Sequence, residues 1–272
     1  MIHLFCALSC EAKPLITHFG LQLDQGNQLF KTYLAEDTGI NLTITGVGKK
    51  NAAAAVSYHA ANYQPVESDI WLNIGVAGHE QAKLGQCYLA NKITDATSQH
   101  HWYPQFIVDM PCKSLPLITI DTPSNQYQSS LFDMEASGFY EIATRLGTNE
   151  LIHCVKIISD NNTQHFNNIN AKQVSQHITS NIPIIDKIVS ALLPCSEKLM
   201  KLSSKPNGYE EITKQIHFTA TEQIQLSRLL KKWQVRLPDT NPIEQIEPNM
   251  KAKTVIQTLN NTLENSPFLL TS

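Results

Sequence analysis

The chain has 272 residues, 42% of them apolar, enough for one large core or for a core with an appendage. Its 21 basic and 24 acidic residues leave a net charge of −3, so there is no electrostatic basis for binding nucleic acid or an anionic membrane. The six cysteines (Cys6, Cys10, Cys87, Cys112, Cys154 and Cys195) show no C-x-x-C pair and no dense spacing, and read as reduced thiols of a cytoplasmic protein. Leu8-Ser9-Cys10 resembles a lipoprotein cleavage site, but no Lys or Arg precedes the apolar run, which sets a signal peptide aside. No apolar stretch approaches the ~20 residues that span a bilayer.

Ile2-His3-Leu4-Phe5-Cys6-Ala7-Leu8 is a short apolar run, read as a first strand buried on both faces. A helix follows from Glu11 to Phe19, closed by Gly20. Glu11 lies where a strand hands over to a helix, a usual place for active-site groups in α/β sheets. Position alone reads equally as a first-turn acid favouring the helix dipole. Residues 28–34 and 40–45 alternate as two strands, the second running into Gly46-Val47-Gly48 and an alanine-rich helix from Ala52. Such a turn brings backbone N–H groups towards a ligand, although it lacks the third glycine of a dinucleotide fingerprint and the spacing of a P-loop.

Asp69 to His79 is another buried strand, with Gly75 and Gly78 allowing close backbone approach. A strand over 85–95 follows, then a loop holding His100-His101-Trp102-Tyr103. The adjacent histidines diverge and have no acid or Cys at ligand spacing, so no metal is expected. A strand over 115–121 leads through the polar exit Thr122-Pro123-Ser124-Asn125 to Leu131-Phe132-Asp133-Met134-Glu135, directly ahead of a helix of small and aromatic residues. The apolar run Cys154-Val155-Lys156-Ile157-Ile158-Ser159 reads as a buried strand ending in Asp160. Two further helices are expected, about 169–181 and 184–193, with Pro183 breaking them. Ser203 to Gly208 reads as a linker. Beyond it, Thr221–Val235 has an amphipathic pattern, 238–248 is proline-rich loop, and 250–263 suits a last helix. The domain reading is 1–194, followed by a helical extension over 195–272.

Four matches, in order, resemble the purine nucleoside phosphorylase and nucleosidase superfamily, most closely the branch of 5′-methylthioadenosine/S-adenosylhomocysteine nucleosidase. They are Cys6-Ala7-Leu8-Ser9-Cys10-Glu11; Thr45-Gly46-Val47-Gly48-Lys49-Lys50-Asn51-Ala52-Ala53; Asn73-Ile74-Gly75-Val76-Ala77-Gly78; and Met134-Glu135-Ala136 with Ile158-Ser159-Asp160. The resemblance spans roughly residues 1–194. It implies a three-layer α/β fold: a central mixed sheet, partly closed into a distorted barrel and flanked by helices. It also implies a homodimer whose subunits complete one another's sites, a task that would fall to the loop from His100 to Tyr103.

The resemblance further implies roles. Glu135 would accept hydrogen bonds from the ribose 2′- and 3′-hydroxyls, for which a carboxylate is well matched, and Met134 would pack on the sugar. Asp160 would protonate the purine leaving group, which needs a raised pKa from burial, and Glu11 would orient or deprotonate water. Gly75, Val76, Asp133 and Ser159 would line the substrate position. No cofactor is implied; the partner is a purine nucleoside. The local alternatives are that Glu135 caps its helix and that Asp160 opens an Asx-turn.

Some positions depart from the family pattern. Ser137-Gly138-Phe139-Tyr140 replaces smaller residues, Asn161-Asn162-Thr163 follows Asp160 without a second acid, Val76 stands in place of a hydroxyl, and Pro123 occurs where a base-stacking aromatic is expected. The three arginines, Arg145, Arg228 and Arg236, all come late, and arginine is the preferred fork for phosphate. Water is therefore favoured as the nucleophile. The alternatives are a phosphorolytic enzyme using Lys49 or Lys50, and an inactive nucleoside-binding homologue acting through its C-terminal helices.

Overall fold

The computed structural model describes residues 1–26, 29–35, 37–124, 128–247 and 249–266. Expectations placed on residues 28, 125 and 248 lie outside these. The chain divides into two compact units, Met1–Lys201 and Leu202–Ser272.

The first unit carries the strands β1 (Ile2–Cys6), β2 (Gln22–Leu23), β3 (Thr32–Ala35), β4 (Ile40–Ile44), β5 (Ile70–Gly78), β6 (Cys87–Asp95), β7 (His101–Trp102), β8 (Ser114–Thr119), β9 (Leu131–Asp133) and β10 (Ile152–Asp160). Its helices are α1 (Ser9–Phe19), α2 (Lys49–Tyr63), α3 (Ala136–Ala143) and α4 (Ala171–Ser203). The strands form one sheet in the order β10-β6-β8-β9-β5-β1-β4-β3-β2, and β10 also pairs with β5. Five strands, β5, β10, β6, β8 and β9, thus close on themselves, and β1, β4, β3 and β2 extend from the ring through β5. This is the partly closed mixed sheet expected above.

Period-two alternation sorts the strand residues between two cores. Ile2, Leu4 and Cys6, Ile70, Leu72 and Ile74, and Val155 and Ile157 meet α1 and α4 on one side. Phe5, Trp71, Ala77, Cys154 and Ile158 pack with Ala52, Val56, Phe139 and Tyr140 on the other. Helices therefore cover the sheet from both sides, and the central runs are apolar on both faces for that reason.

Helix α2 and helix α3 pack closely, and Gly138 sets the distance. A Cβ placed there would lie 1.9 Å from the carbonyl oxygen of Lys49. The bulky run beside Glu135 is spent on this contact: Ser137, Gly138, Phe139 and Tyr140 are all buried, and Ser137 Oγ donates to Asp95 Oδ2 at 2.9 Å.

Three expectations change. His101–Trp102, read as loop, pairs with β6. Leu131–Asp133, read only as the approach to a helix, is the strand that joins β8 to β5. Helix α4 runs unbroken through Pro183 and Pro194; each proline removes one main-chain donor and the helix continues. As a single helix, α4 is long and apolar enough to cross a bilayer by length and composition, where none was expected. Ile178, Ile185, Ile188 and Leu192 recur along it at helical spacing and join the first core, which accounts for its apolar face.

The second unit holds α5 (Tyr209–Gln215), α6 (Ala220–Arg236) and α7 (Ala252–Asn265). Leu226, Leu230, Trp233, Val255 and Leu259 form its own core. Thr219 and Glu222 make a reciprocal capping box at the start of α6.

Gly138→Ala is expected to destabilise the first unit by about 3 kcal/mol or more, because the new methyl meets backbone rather than a movable side chain. Urea unfolding of the variant against the wild type measures this; an unchanged midpoint would show that α2 and α3 can separate without cost.

Candidate active site

One cavity of about 470 Å³ opens at the carboxyl ends of β1, β5 and β10. Glu11, Val76, Asp133, Met134, Glu135, Ser159 and Asp160 all line it, so residues widely separated in the chain meet in one place. Gly75 does not line it. Its contribution lies behind Glu11: a Cβ at Gly75 would sit 2.9 Å from Glu11 Oε1, so the glycine lets that carboxylate lie across β5.

Glu11 is buried at the start of α1. Its Oε1 accepts from the Val76 N–H and its Oε2 from the Leu8 N–H, each at 2.9 Å. The helix-start role and the cavity role therefore coexist in one side chain. Burial raises its pKa, while the two N–H groups and Lys156 work in the opposite direction.

Glu135 precedes α3 but makes no side-chain cap of that helix. Its Oε1 instead accepts from the Gly48 N–H at 2.8 Å. The Gly46-Val47-Gly48 turn, with φ of 78° at Gly46 and 103° at Gly48, thus aims its backbone donor at this carboxylate. Oε2 has no partner among the described residues. Burial pushes the Glu135 carboxyl up to about 7, Asp133 and Glu11 add to the rise, and Lys156 and the Gly48 N–H oppose it.

Asp160 ends β10 and is buried. Its Oδ1 accepts from Ser159 Oγ at 2.5 Å. The Asx-turn considered for Asp160 is made by its neighbour: Asn161 Oδ1 accepts from the N–H groups of Thr163 and Gln164 at 2.9 and 3.0 Å.

Asp133 has its carboxylate engaged throughout. Oδ1 accepts from Thr119 Oγ1 at 2.8 Å, and Oδ2 accepts from the Ala136 N–H at 2.8 Å and pairs with Lys156 Nζ at 2.8 Å. Lys156, not among the site residues expected from the sequence, is 1% exposed and also donates to Asn73 Oδ1 at 2.6 Å. Burial works against its charge, but Asp133, Cys154 and Glu135 hold its pKa above the usual lysine value. The signal was present in the sequence: a single lysine inside an otherwise apolar strand has to have a buried partner.

The remaining wall comes from Leu8, Cys10, Phe166, Ile169, Ala171 and Val174. Pro123 and Phe132 line it as well. No Lys or Arg lines the cavity among the described residues. Lys49 is instead held by Asp95 and Asp121 at 2.9 and 3.0 Å, and Lys50 is exposed. Among the described residues no three His, Cys, Asp or Glu side chains are grouped to hold a metal ion; His101 Nδ1 lies 3.0 Å from Thr94 Oγ1.

Two outcomes follow from this electrostatic arrangement. Between the ordinary carboxyl value near 4.5 and about 7, the folded protein keeps a proton on Glu135 that the unfolded chain has released. This group's contribution to stability therefore falls as pH rises through that window. Urea midpoints across the window are expected to decline with pH, and Glu135→Gln is expected to flatten that part of the slope. Lys156→Met leaves Asp133 as a buried unpaired charge and is expected to cost about 3–5 kcal/mol. It is also expected to raise the Glu135 titration further, followed by carboxyl NMR; an unmoved titration would show that the lysine does not act on the cavity acids.

No family model and no curated protein matches the sequence. Solved structures do. The 5′-methylthioadenosine/S-adenosylhomocysteine nucleosidase of S. pneumoniae superposes with a TM-score of 0.54 at 18% identity, over 70% of this chain and 99% of that one. The 5′-methylthioadenosine nucleosidase of Arabidopsis thaliana gives 0.56 at 17% identity, over 72% and 95%. The futalosine hydrolase of Helicobacter pylori gives 0.53 at 12% identity, over 70% and 97%. At these identities the likeness is one of architecture, and this chain has the fold of the 5′-methylthioadenosine/S-adenosylhomocysteine nucleosidases.

Proposed function

We propose that the protein hydrolyses the N-glycosidic bond of a purine nucleoside, with 5′-methylthioadenosine-like nucleosides as the first class to consider. The observation that carries the reading is the convergence of Glu11, Glu135 and Asp160 on one cavity, each in a different electrostatic setting. Cleavage of such a bond passes through an oxocarbenium-like state and needs one acid for the leaving base and a base for water.

In this proposal Glu135, fixed by the Gly48 N–H through one oxygen, offers the other to the ribose hydroxyls. Met134 packs beside the sugar. Asp160 gives a proton to N7 of the purine as the C1′–N9 bond breaks, so the base leaves as a neutral molecule. Water adds at C1′ and Glu11 takes its proton; the two acids then exchange protons with solvent and return to their starting states. Asp133 is a positioning residue, since its oxygens are already used. Ser159 orients Asp160, and Val76 holds Glu11 through its N–H.

Water is favoured over phosphate because the described lining has no cationic side chain and Lys49 is committed to two aspartates. The free thiols accord with a cytoplasmic location as part of the same reading.

A panel of 5′-methylthioadenosine, S-adenosylhomocysteine, adenosine, inosine and futalosine, assayed for free base with and without phosphate, tests the proposal. Phosphate-independent release of base from at least one is expected. Asp160→Asn is expected to lower kcat by about 10²-fold or more. In the wild type, kcat/KM is expected to rise with pH through about 7 as Glu135 ionises, and Glu135→Gln should lose that limb. If every nucleoside stays intact under both conditions, the enzymatic reading fails and a binding role replaces it.

A further inference from the structure

Two of the six cysteines meet outside the acid-lined cavity. Cys87 opens β6, and Cys112 lies two residues before β8. These strands run parallel, with Leu89 opposite Ser114 and the Leu89 N–H donating to the Lys113 carbonyl at 3.0 Å. Counting that register back two residues sets Cys87 opposite Cys112. A step of two also keeps each side chain on one face. Cys87 and Leu89 accordingly enter the first core, and Val108, Met110 and Cys112 pack against it at alternate positions. The thiols meet there, Cys87 Sγ donating its proton to Cys112 Sγ.

That hydrogen bond makes the two sulfurs unequal. Cys87 is buried, and its bond to Cys112, together with burial, pushes its thiol pKa up. Cys112 is half-buried. The proton it accepts from Cys87 stabilises its thiolate and holds its pKa below the usual thiol value, against the effect of burial. The thiolate is the reactive form, so Cys112 is the reachable nucleophile and a second thiol stands in contact behind it. Neighbouring strands lie about 4.7–4.9 Å apart, inside the Cα separation of roughly 4.4–6.8 Å that a disulfide spans. Of the other cysteines, Cys6 and Cys154 are wholly buried, and Cys10 and Cys195 are half-buried on α1 and α4.

We propose that Cys87 and Cys112 form a reversible oxidation site for a hydroperoxide, at which the two thiols become a disulfide between β6 and the lead-in to β8. The Cys112 thiolate attacks the terminal oxygen of the hydroperoxide, ROOH. The O–O bond breaks, ROH leaves with the proton that Cys112 gave up, and Cys112 becomes a sulfenic acid. The Cys87 sulfur then attacks the Cys112 sulfur. An S–S bond forms, the S–O bond breaks, and the Cys87 proton leaves with the hydroxyl as water. The two thiols lose two electrons and the peroxide gains them. Thiol–disulfide exchange with a reducing cytoplasm restores the pair. The bridge ties β6 to β8 on the side of β6 away from β10. It is independent of the nucleosidase reading.

The test treats the full chain with a few equivalents of hydrogen peroxide, alkylates the remaining thiols and maps the peptides without reduction. Loss of two of the six alkylatable thiols is expected, with one linked peptide pair joining Cys87 to Cys112, and dithiothreitol should return both. In Cys87→Ala, peroxide is expected to leave Cys112 as a sulfenic acid that dimedone traps. In Cys112→Ser, Cys87 is expected to stay a thiol. Cys112 remaining a thiol while Cys10 or Cys195 oxidises overturns the site. So does a wild-type Cys112 that oxidises without becoming joined to Cys87. Both overturning results are read on the wild-type chain, so they hold even where a variant does not fold.

Discussion

A lysine ammonium inside a closed ring of strands is the constraint on which this site depends. Lys156 sits on β10, Asp133 on β9 and Asn73 on β5, and the three are joined by contacts of 2.8 and 2.6 Å. Taking both charges out of water costs several kcal/mol per ion, which the pair offsets only through close geometry and additional hydrogen bonds. Here Thr119 and the Ala136 N–H complete the carboxylate, and Asn73 completes the ammonium. The arrangement also spans the weakest part of the ring, where β5 and β9 pair only at Gly78 and Phe132. An ion pair from β10 to β9 closes across the interior what the backbone closes thinly at the edge.

The same lysine governs the acids that remain available. Glu11 and Glu135 are both raised by burial, and Lys156 pulls each of them back. Their local donors differ. Glu11 takes one backbone N–H on each oxygen, whereas Glu135 takes one from Gly48 and keeps the other oxygen open. Asp160 has a hydroxyl donor instead. Chemically similar side chains thus occupy distinct environments within one cavity, the condition under which carboxyl groups can take separate acid, base and binding roles.

Much of this was legible in the sequence. The runs at Ile2, Ile70 and Ile152 are continuous and apolar because those strands are covered on both faces, and such runs announce a central position. The acids at their ends, Glu11 and Asp160, could be picked out because strand ends in an α/β sheet gather at one face. What was not legible depended on partners distant in sequence. The need of Lys156 for a buried partner is written in its apolar strand, but only β9 and β5 show that the partners are Asp133 and Asn73. The three residues of β9 are too few for a periodic signal. Pro183 suggested a break between two helices, but burial of Ile178, Ile185, Ile188 and Leu192 along one face outweighs the main-chain donors missing at Pro183 and Pro194. Gly48 suggested a ligand cradle, and its N–H turned out to serve Glu135.

The order of the strands has a kinetic consequence. The ring closes only through β10, whose Ile152 lies opposite Trp71 and whose Val155 lies opposite Leu89. These pairings span long stretches of chain, so loop-closure entropy must be met before they give any return. Every acid of the site except Asp160 precedes β10, and Asp133 has no ammonium partner until that strand docks. The docking of β10 is therefore both the step that closes the ring and the step that makes the buried charges tolerable. Folding of the ring and assembly of its electrostatics are one event, and a chain arrested before residue 152 has neither.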